Sequence, residues 1–588
     1  MSNPALAAYG KRDDLAAYGS NGLLLFALQL QFGMDDIESV AADALTDGNN
    51  DKKCDLVYVD RDRGRLVIAQ GYEAKSPGTK TAPASKASDL NTAVAWLLSG
   101  DVNGLPDNLK SAAIHVRGAI SDQTIREIDL WYVHNQNEST NVRDELQQAA
   151  RTAKSIVASG FPDAQVTSIV GREIGQATLA ELYKRTRAPI AVSDSFRVPV
   201  SGGFTISAEH WRAFCTSVPG SWLRSVWKEH ETNLLSPNVR DYLGIVKAER
   251  NINFGIKSTA RQDPNQFWIY NNGLTILVND FRLVPSPDRG DAEDLEITGI
   301  GIVNGAQTTG SIGTLADAEA EGIESLNVMA RFVKCDSPAI LAEIVRYNNT
   351  QNKVEAADFR SKDVVQERLR AEFAQIPEAT YRGGRRGGVS DAIERQKNLV
   401  ADGAVAQSLA AFHGRPNLAY NDTRRIWDDD GTYADLFNER TSARHIVFTY
   451  ALLRAVEAAK KEIADLDEKV RTQSQQRQIS FFRQRGAIQL FVAAVAESME
   501  AILGYAVVDR FGLSFGTECS PKDAITHWSP VVQACLPFCD RLSDAADRNL
   551  QNAEKVRQAI QTFQSLIEAT GTANRPLYES FSSLVRTS

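Results

Sequence analysis

Two apolar runs, each joined to an Asn-Gly pair, constrain the middle of this chain more than any other feature. Residues 267–280 read FWIYNNGLTILVND, and residues 297–313 read ITGIGIVNGAQTTGSIG. The first run feeds Asn271-Asn272-Gly273. The second, Ile300 to Val303, breaks at Asn304-Gly305 into the small polar residues Gln307, Thr308 and Thr309. A buried strand that ends in Asn-Gly and opens a polar helix sets backbone N–H groups around a concave loop. Such a loop suits an anion or an amide-bearing ligand. The same dipeptide is the strongest short turn signal, so two hairpin turns are the competing reading.

More polar motifs follow in order. Tyr347 to Asn352 reads YNNTQN, Asp358 to Ser361 reads DFRS, and Tyr381 to Gly387 reads YRGGRRG. The amides of Asn272, Asn304, Gln307, Asn348, Asn349 and Gln351 can donate and accept. Buried amides cost free energy unless paired, so these either pair internally or face a ligand. In the glycine-rich loop, Arg382, Arg385 and Arg386 offer guanidinium groups for phosphates, and Tyr381 offers a ring for stacking.

In this order the motifs NNG, IVNGAQT, YNNTQN, DFRS and the arginine-glycine loop resemble the AIPR family, the abortive-infection phage-resistance proteins of bacteria. The resemblance is strong from Asn238 to Asp428, weaker in the N-terminal part and slight at the end of the chain. The strand-NG-x-Q-helix pattern is similar, more distantly, to the ParB-like and DGQHR groups, which bind phosphate or nucleotide at this junction. The arginine that completes their motif is missing from Asn304 to Thr308.

The resemblance further implies an N-terminal nuclease-like domain of the PD-(D/E)xK type, in its Gln-x-Lys form. Asp55 and Gln70, in CDLVYVDRDRGRLVIAQGYEAK, stand where the first Asp and the Gln should be. Such residues hold Mg²⁺ or Mn²⁺ with water completing the shell, and the lysine orients or activates the attacking water. Here Tyr72 occupies the lysine position, and it supplies no cation near neutral pH. Glu73-Ala74-Lys75 is an alternative, placed by strand alternation on the opposite face unless a bulge at Gly71 resets the phase. Lys86 is a third source, and Glu38 a further carboxylate for the metal. An ordinary solvated hairpin is the competing reading.

Elements alternate through residues 1–190. Helices are expected at Leu23–Gln31, Asp36–Leu45, Ala87–Leu98, Asp144–Ala158 and Ala177–Thr186. Strands are expected at Leu56–Val59, Leu66–Gln70, Ala112–Arg117, Ile128–His134 and Val166–Val170. Prolines and a glycine pair between Ala188 and Gly203 mark a boundary. The expected architecture is an α/β restriction-nuclease-like domain (1–190), an α+β AIPR core (191–395) and an all-α C-terminal region (396–588). The last region carries apolar residues at helical spacing, as in a bundle that packs on the middle domain or on a second copy.

No apolar run reaches the roughly 18 residues of a membrane span. With a net charge of −9 there is no global basic field, so nucleic-acid contacts must come from local patches. The six cysteines are scattered as reduced thiols would be. Cys535, Cys539 and His527 lack zinc-site spacing and a fourth ligand. These features suit the cytoplasm, and the resemblance to the AIPR family implies a defence protein whose Mg²⁺-dependent nuclease is controlled by the middle domain. Nucleic acid, DNA ahead of RNA, is the expected partner, beside a phage-derived or defence-system protein and a second copy of the chain. A degenerate, non-catalytic nucleic-acid sensor or scaffold is the alternative.

Overall fold

A computed structural model describes residues 3–34, 36–46, 51–61, 63–187, 190, 192–235, 249–287, 289–290, 292–315, 317, 320, 322–337, 340–341, 343–345, 348, 360, 363–383, 398–467, 469–516, 518–546 and 550–587.

The N-terminal region is built on a four-stranded sheet in the order β1 (Leu56–Asp60), β2 (Arg65–Tyr72), β3 (Glu127–His134), β4 (Ser168–Ile174). β1 runs antiparallel to β2, while β2, β3 and β4 are mutually parallel. Alternation along the strands feeds two cores. Leu66, Ile68, Ile128 and Leu130 face the helices Leu90–Leu98, Asp107–Ser121 and Thr140–Gly160. Val67, Ala69, Trp131 and Val133 face Gly22–Phe32 and Gln176–Arg187. A sheet covered on both faces explains why these strands are almost continuously apolar.

Ala112 to Arg117 is not a strand. It lies inside the Asp107–Ser121 helix, where Leu109, Ala112, Ala113, Val116, Ala119 and Ile120 are all buried. That i, i+3, i+4 spacing is a helical stripe, which a short window over the run conceals.

The middle sheet has the order β5 (Val192–Pro199), β10 (Glu293–Asn304), β8 (Leu274–Leu277), β11 (Asn327–Cys335), β7 (Trp211–Pro219), β6 (Gly203–Ala208), with β9 (Asp280–Pro285) also on β10. Val192 to Pro199 is thus an edge strand of this sheet, lying in the stretch read as a boundary. The expected strand before Asn271 is absent. Phe267–Tyr270 is a helical turn closed by Asn271 N–H on Phe267 O at 3.0 Å, and of its four residues only Phe267 is buried. The strand begins after the Asn-Asn-Gly turn, at Leu274.

The C-terminal half packs around one helical core that includes Phe448, Trp528, Phe491 and Phe581. This core also takes in Leu369, Phe373 and Tyr381, so it starts well before residue 396. The helical spacing between Arg477 and Leu503 reads as one continuous helix, but the chain forms three, Gln473–Phe482, Ala487–Glu497 and Met499–Leu503. Gly486 makes the first break with φ +78°, where a side chain would strike Leu550. The helical region also docks on the N-terminal region, a partner not anticipated from sequence. Arg454 pairs with Asp36 at 2.6 Å and with Glu457 at 2.6 Å, and Ser39 Oγ donates to Glu457 at 2.7 Å.

Candidate functional site

Asp55 directly precedes β1 and donates its N–H to Ala69 O, so it enters the ladder beside the end of β2. Its Oδ2 accepts the Gly71 N–H at 2.7 Å. Gln70 is buried, and among the described residues its Oε1 meets no donor. Its register partner on β3 is Tyr132, whose hydroxyl is likewise buried without a partner. Tyr72 is the partner of His134. Burial pushes the Tyr132 phenol above its usual range, with Tyr72, Glu173 and Asp89 adding to the shift.

His134 is fully buried and lies 3.0 Å from Glu173 on β4. Its Nδ1 accepts the Gln136 N–H at 3.2 Å, so Nε2 carries the proton and donates to Glu173. Asp55 thus stands at the start of β1, and the other groups at the ends of the parallel strands β2, β3 and β4. They gather at one sheet edge, the carboxyl edge, where open α/β sheets hold ligands.

The other hairpin candidates go elsewhere. The β2–β3 register runs unbroken through Gly71 and Tyr72, so no bulge resets the phase and Glu73 stays on the face opposite Gln70. Glu73 is exposed and receives the Tyr9 hydroxyl at 3.4 Å, while Lys75 is exposed beyond it. Asn135 clamps the intervening Ala74 with two hydrogen bonds, 2.9 and 2.7 Å, which directs this segment off the sheet. Glu38 lies in the field of Arg454 and Tyr450, within the contact with the helical region. Among the described residues no three His, Cys, Asp or Glu side chains gather as a metal site.

Lys86 rides on the Ala84–Ser88 helix, which packs on β2 and on Thr140–Gly160. A cation that sequence reasoning missed is Lys53. Its Nζ is 3.7 Å from Asp89, one of the charges felt by Tyr132. Lys52 and Lys53 form a turn with φ of 52° and 68°, the left-handed region that non-glycine residues seldom adopt. The polar run HNQN closing β3 was the overlooked signal for His134, Asn135 and Gln136.

In the middle sheet β10 ends at Asn304, Gly305 turns with φ +94°, and the helix Ala306–Gly313 begins, as the sequence implied. A Cβ on Gly305 would stand 2.3 Å from Leu274 Cδ2, so only glycine lets this junction close on the Asn-Asn-Gly turn. Asn271 Nδ2 donates to Thr308 Oγ1 at 2.9 Å, and Gly273 N–H donates to Asn271 Oδ1 at 2.9 Å. Asn271 therefore ties the turn to the helix, and Asn272 is exposed. The Gln307 amide nitrogen is buried with no acceptor.

A family model described as AIPR protein matches residues 235–526. Residues 235–526 belong to the AIPR family. No curated protein and no solved structure matches the chain. The AIPR match contains the Gly305 junction and the helices that carry Arg368 and Arg454, whereas Asp55 and Gln70 lie outside it.

Within the AIPR region Tyr381 departs from its expected stacking role. Tyr381 is buried, packs on Phe373 with ring centroids 4.7 Å apart, and donates its hydroxyl to Gln366 Oε1 at 2.8 Å. A ring spent on the helical core is not a stacking platform. The Arg382 and Gly383 carbonyls accept from Arg370 at 3.4 and 3.0 Å, which holds the start of the loop against the Val364–Phe373 helix. Asn349, Gln351, Arg385 and Arg386 lie outside the described residues.

Proposed function

We propose that this AIPR-family chain acts in phage resistance through an N-terminal nuclease controlled by nucleic acid or ligand bound in the AIPR region. The coarse part follows from the family, whose members confer abortive-infection phage resistance. The observation that supports the nuclease reading is the buried Oε1 of Gln70, without a donor among the described residues, on the strand whose next residue, Gly71, donates its N–H to Asp55. A buried carbonyl oxygen without a donor is costly, and a cation offsets that cost. Mg²⁺ or Mn²⁺ fits this donor set, being satisfied by a few protein oxygens and completed by water.

Asp55 and Gln70 would hold the ion, which when bound acidifies a water and offsets charge on the scissile phosphate. The protein's own part is to fix these two oxygens, through the Gly71 N–H and the packed β2–β3 ladder. It also brings a lysine, Lys53 or Lys86, to orient the water.

The test is cleavage of duplex DNA and single-stranded RNA by the full chain with Mg²⁺ or Mn²⁺. Asp55→Asn should abolish it while the thermal midpoint is kept. Undiminished cleavage by a folded Asp55→Asn protein rejects the site. A second reading, a non-catalytic sensor, is favoured by Tyr72 in the lysine position and Lys75 directed off the sheet. In that case the wild-type chain binds nucleic acid and cleaves none with either metal.

A further inference from the structure

Three neighbouring strands of the middle sheet bring a guanidinium, a hydroxyl and an amide abreast. Asn304 on β10 pairs with Thr275 on β8, and Thr275 pairs with Arg331 on β11. Register partners on adjacent strands share a face, so the three form a row where β10 gives way to its helix. Arg331 is exposed and donates to Thr275 Oγ1 at 2.8 Å and to Asn348 Oδ1 at 3.4 Å. Both acceptors are neutral, and among the described residues no carboxylate pairs with this arginine.

The Ala306–Gly313 helix starts beside the row with no side-chain cap, and its first turn is buried. Helical side chains lean toward the N-terminus of their helix. Gln307, only 9% exposed, therefore leans toward this end, and its buried amide nitrogen lacks an acceptor. A guanidinium that meets only neutral acceptors fits an anion.

What lies alongside narrows the anion. Trp268, Ile269 and Tyr270 are 45%, 64% and 67% exposed, on the helical turn that Asn271 ties to Thr308. Met329 continues this surface, 41% exposed, and packs against Gly273. Two exposed rings on a shelf that Met329, on the same strand face as Arg331, joins to this guanidinium suit stacked bases joined by a phosphate backbone. We propose that the Trp268–Tyr270 shelf and Arg331 form a binding site for single-stranded nucleic acid.

The proposal deepens the binding part of the function stated above and is independent of cleavage at Asp55. It also moves nucleic-acid contact from the Tyr381 loop, whose ring is buried, to a surface whose rings are open.

The experiment is fluorescence anisotropy of labelled oligothymidylate and oligouridylate with the full chain in EDTA, at several salt concentrations. Arg331→Gln should weaken binding and make the logarithmic salt slope shallower by about 0.7, the value for one single-strand phosphate contact. Trp268→Ala with Tyr270→Ala should weaken binding roughly tenfold and leave the slope unchanged, because stacking is not ionic. These side chains are exposed, so thermal midpoints should hold. Asp55→Asn should bind as the wild type does, which separates this site from the nuclease reading. Wild-type-like binding by the folded shelf and Arg331 variants overturns the proposal, as does an absence of binding by the wild type. Displacement of the strand by an equal concentration of ATP would overturn it too, in favour of a free-nucleotide pocket.

Discussion

Arg485 donates a hydrogen bond to the carbonyl oxygen of Val57, 3.1 Å away, from the turn that opens the Ala487–Glu497 helix. The same guanidinium pairs with the Asp43 carboxylate and backbone carbonyl, and the Arg485 N–H donates to Ser111 Oγ at 2.9 Å. A residue of the AIPR match therefore holds the strand whose first neighbour is Asp55. The two regions meet through ion pairs and backbone bonds at the back of the candidate metal site.

Arg485→Ala removes a side chain that is only 4% exposed and leaves Asp43 and the Val57 carbonyl without their donor. Asp43 is 39% exposed, so water recovers part of the loss. The expected destabilisation is about 2 kcal/mol, below the figure for a fully buried pair. Chemical denaturation monitored separately in the N-terminal and C-terminal regions checks it, and unchanged transitions would refute a structural contact.

Gln70→Leu separates a structural amide from a ligand. Removing this buried amide should leave metal-free stability unchanged or slightly raised, because among the described residues nothing pairs with its oxygen. The rise in thermal midpoint on adding Mn²⁺ to the wild type should vanish in the variant. If Gln70→Leu costs more than about 2 kcal/mol without metal, the amide is paired within the fold.

The lysines separate by the same cleavage assay. Lys75→Ala should leave the rate unchanged, since its segment is led off the sheet by Asn135. Lys53→Ala should lower it by roughly 100-fold, the lower end for loss of a group that orients or activates water. Full activity in Lys53→Ala with loss in Lys86→Ala would move the cation to the Ala84–Ser88 helix.

His413 and His445 meet Nε2 to Nε2 at 3.0 Å inside the helical core. His445 Nδ1 donates to Leu513 O at 2.8 Å, so its Nε2 accepts and His413 Nε2 donates. Burial takes His445 down from 6.5 to about 4, and His413, which also faces His445, Arg510, Arg415 and Arg440, lower still. Because the folded values lie below the unfolded value, stability is full above pH 6.5 and falls as pH drops toward about 4. Denaturation across that window should be steeper for the wild type than for His445→Gln by about 1 kcal/mol per pH unit. Parallel curves would show that the imidazole is already protonated in the fold.

Much of the fold was legible wherever one periodicity ruled a segment. The hairpin Leu56–Gln70, strand Ile128–His134, helix Asp144–Ala158 and the strand-to-helix junction at Gly305 lie close to where their patterns place them. The failures share a cause. Ala112–Arg117 and Phe267–Tyr270 are short apolar runs that suit a strand or a helical turn equally well. The first was settled by packing against β1 and Leu90–Leu98, the second by how the chain leaves Pro264.

The sequence by itself determined the family over residues 235–526 and the strand-to-helix junction at Asn304-Gly305, because each is carried by a local pattern. Tertiary structure alone decided that Glu38 faces Arg454, that Tyr381 is buried, and that Asn304, Thr275 and Arg331 share a row. It also decided that the C-terminal helices dock on the Ile37–Ala44 helix and on the edge strand β1. These are contacts between residues far apart in the chain, and which groups meet depends on strand order and on which face each helix buries. No run of neighbouring residues encodes that.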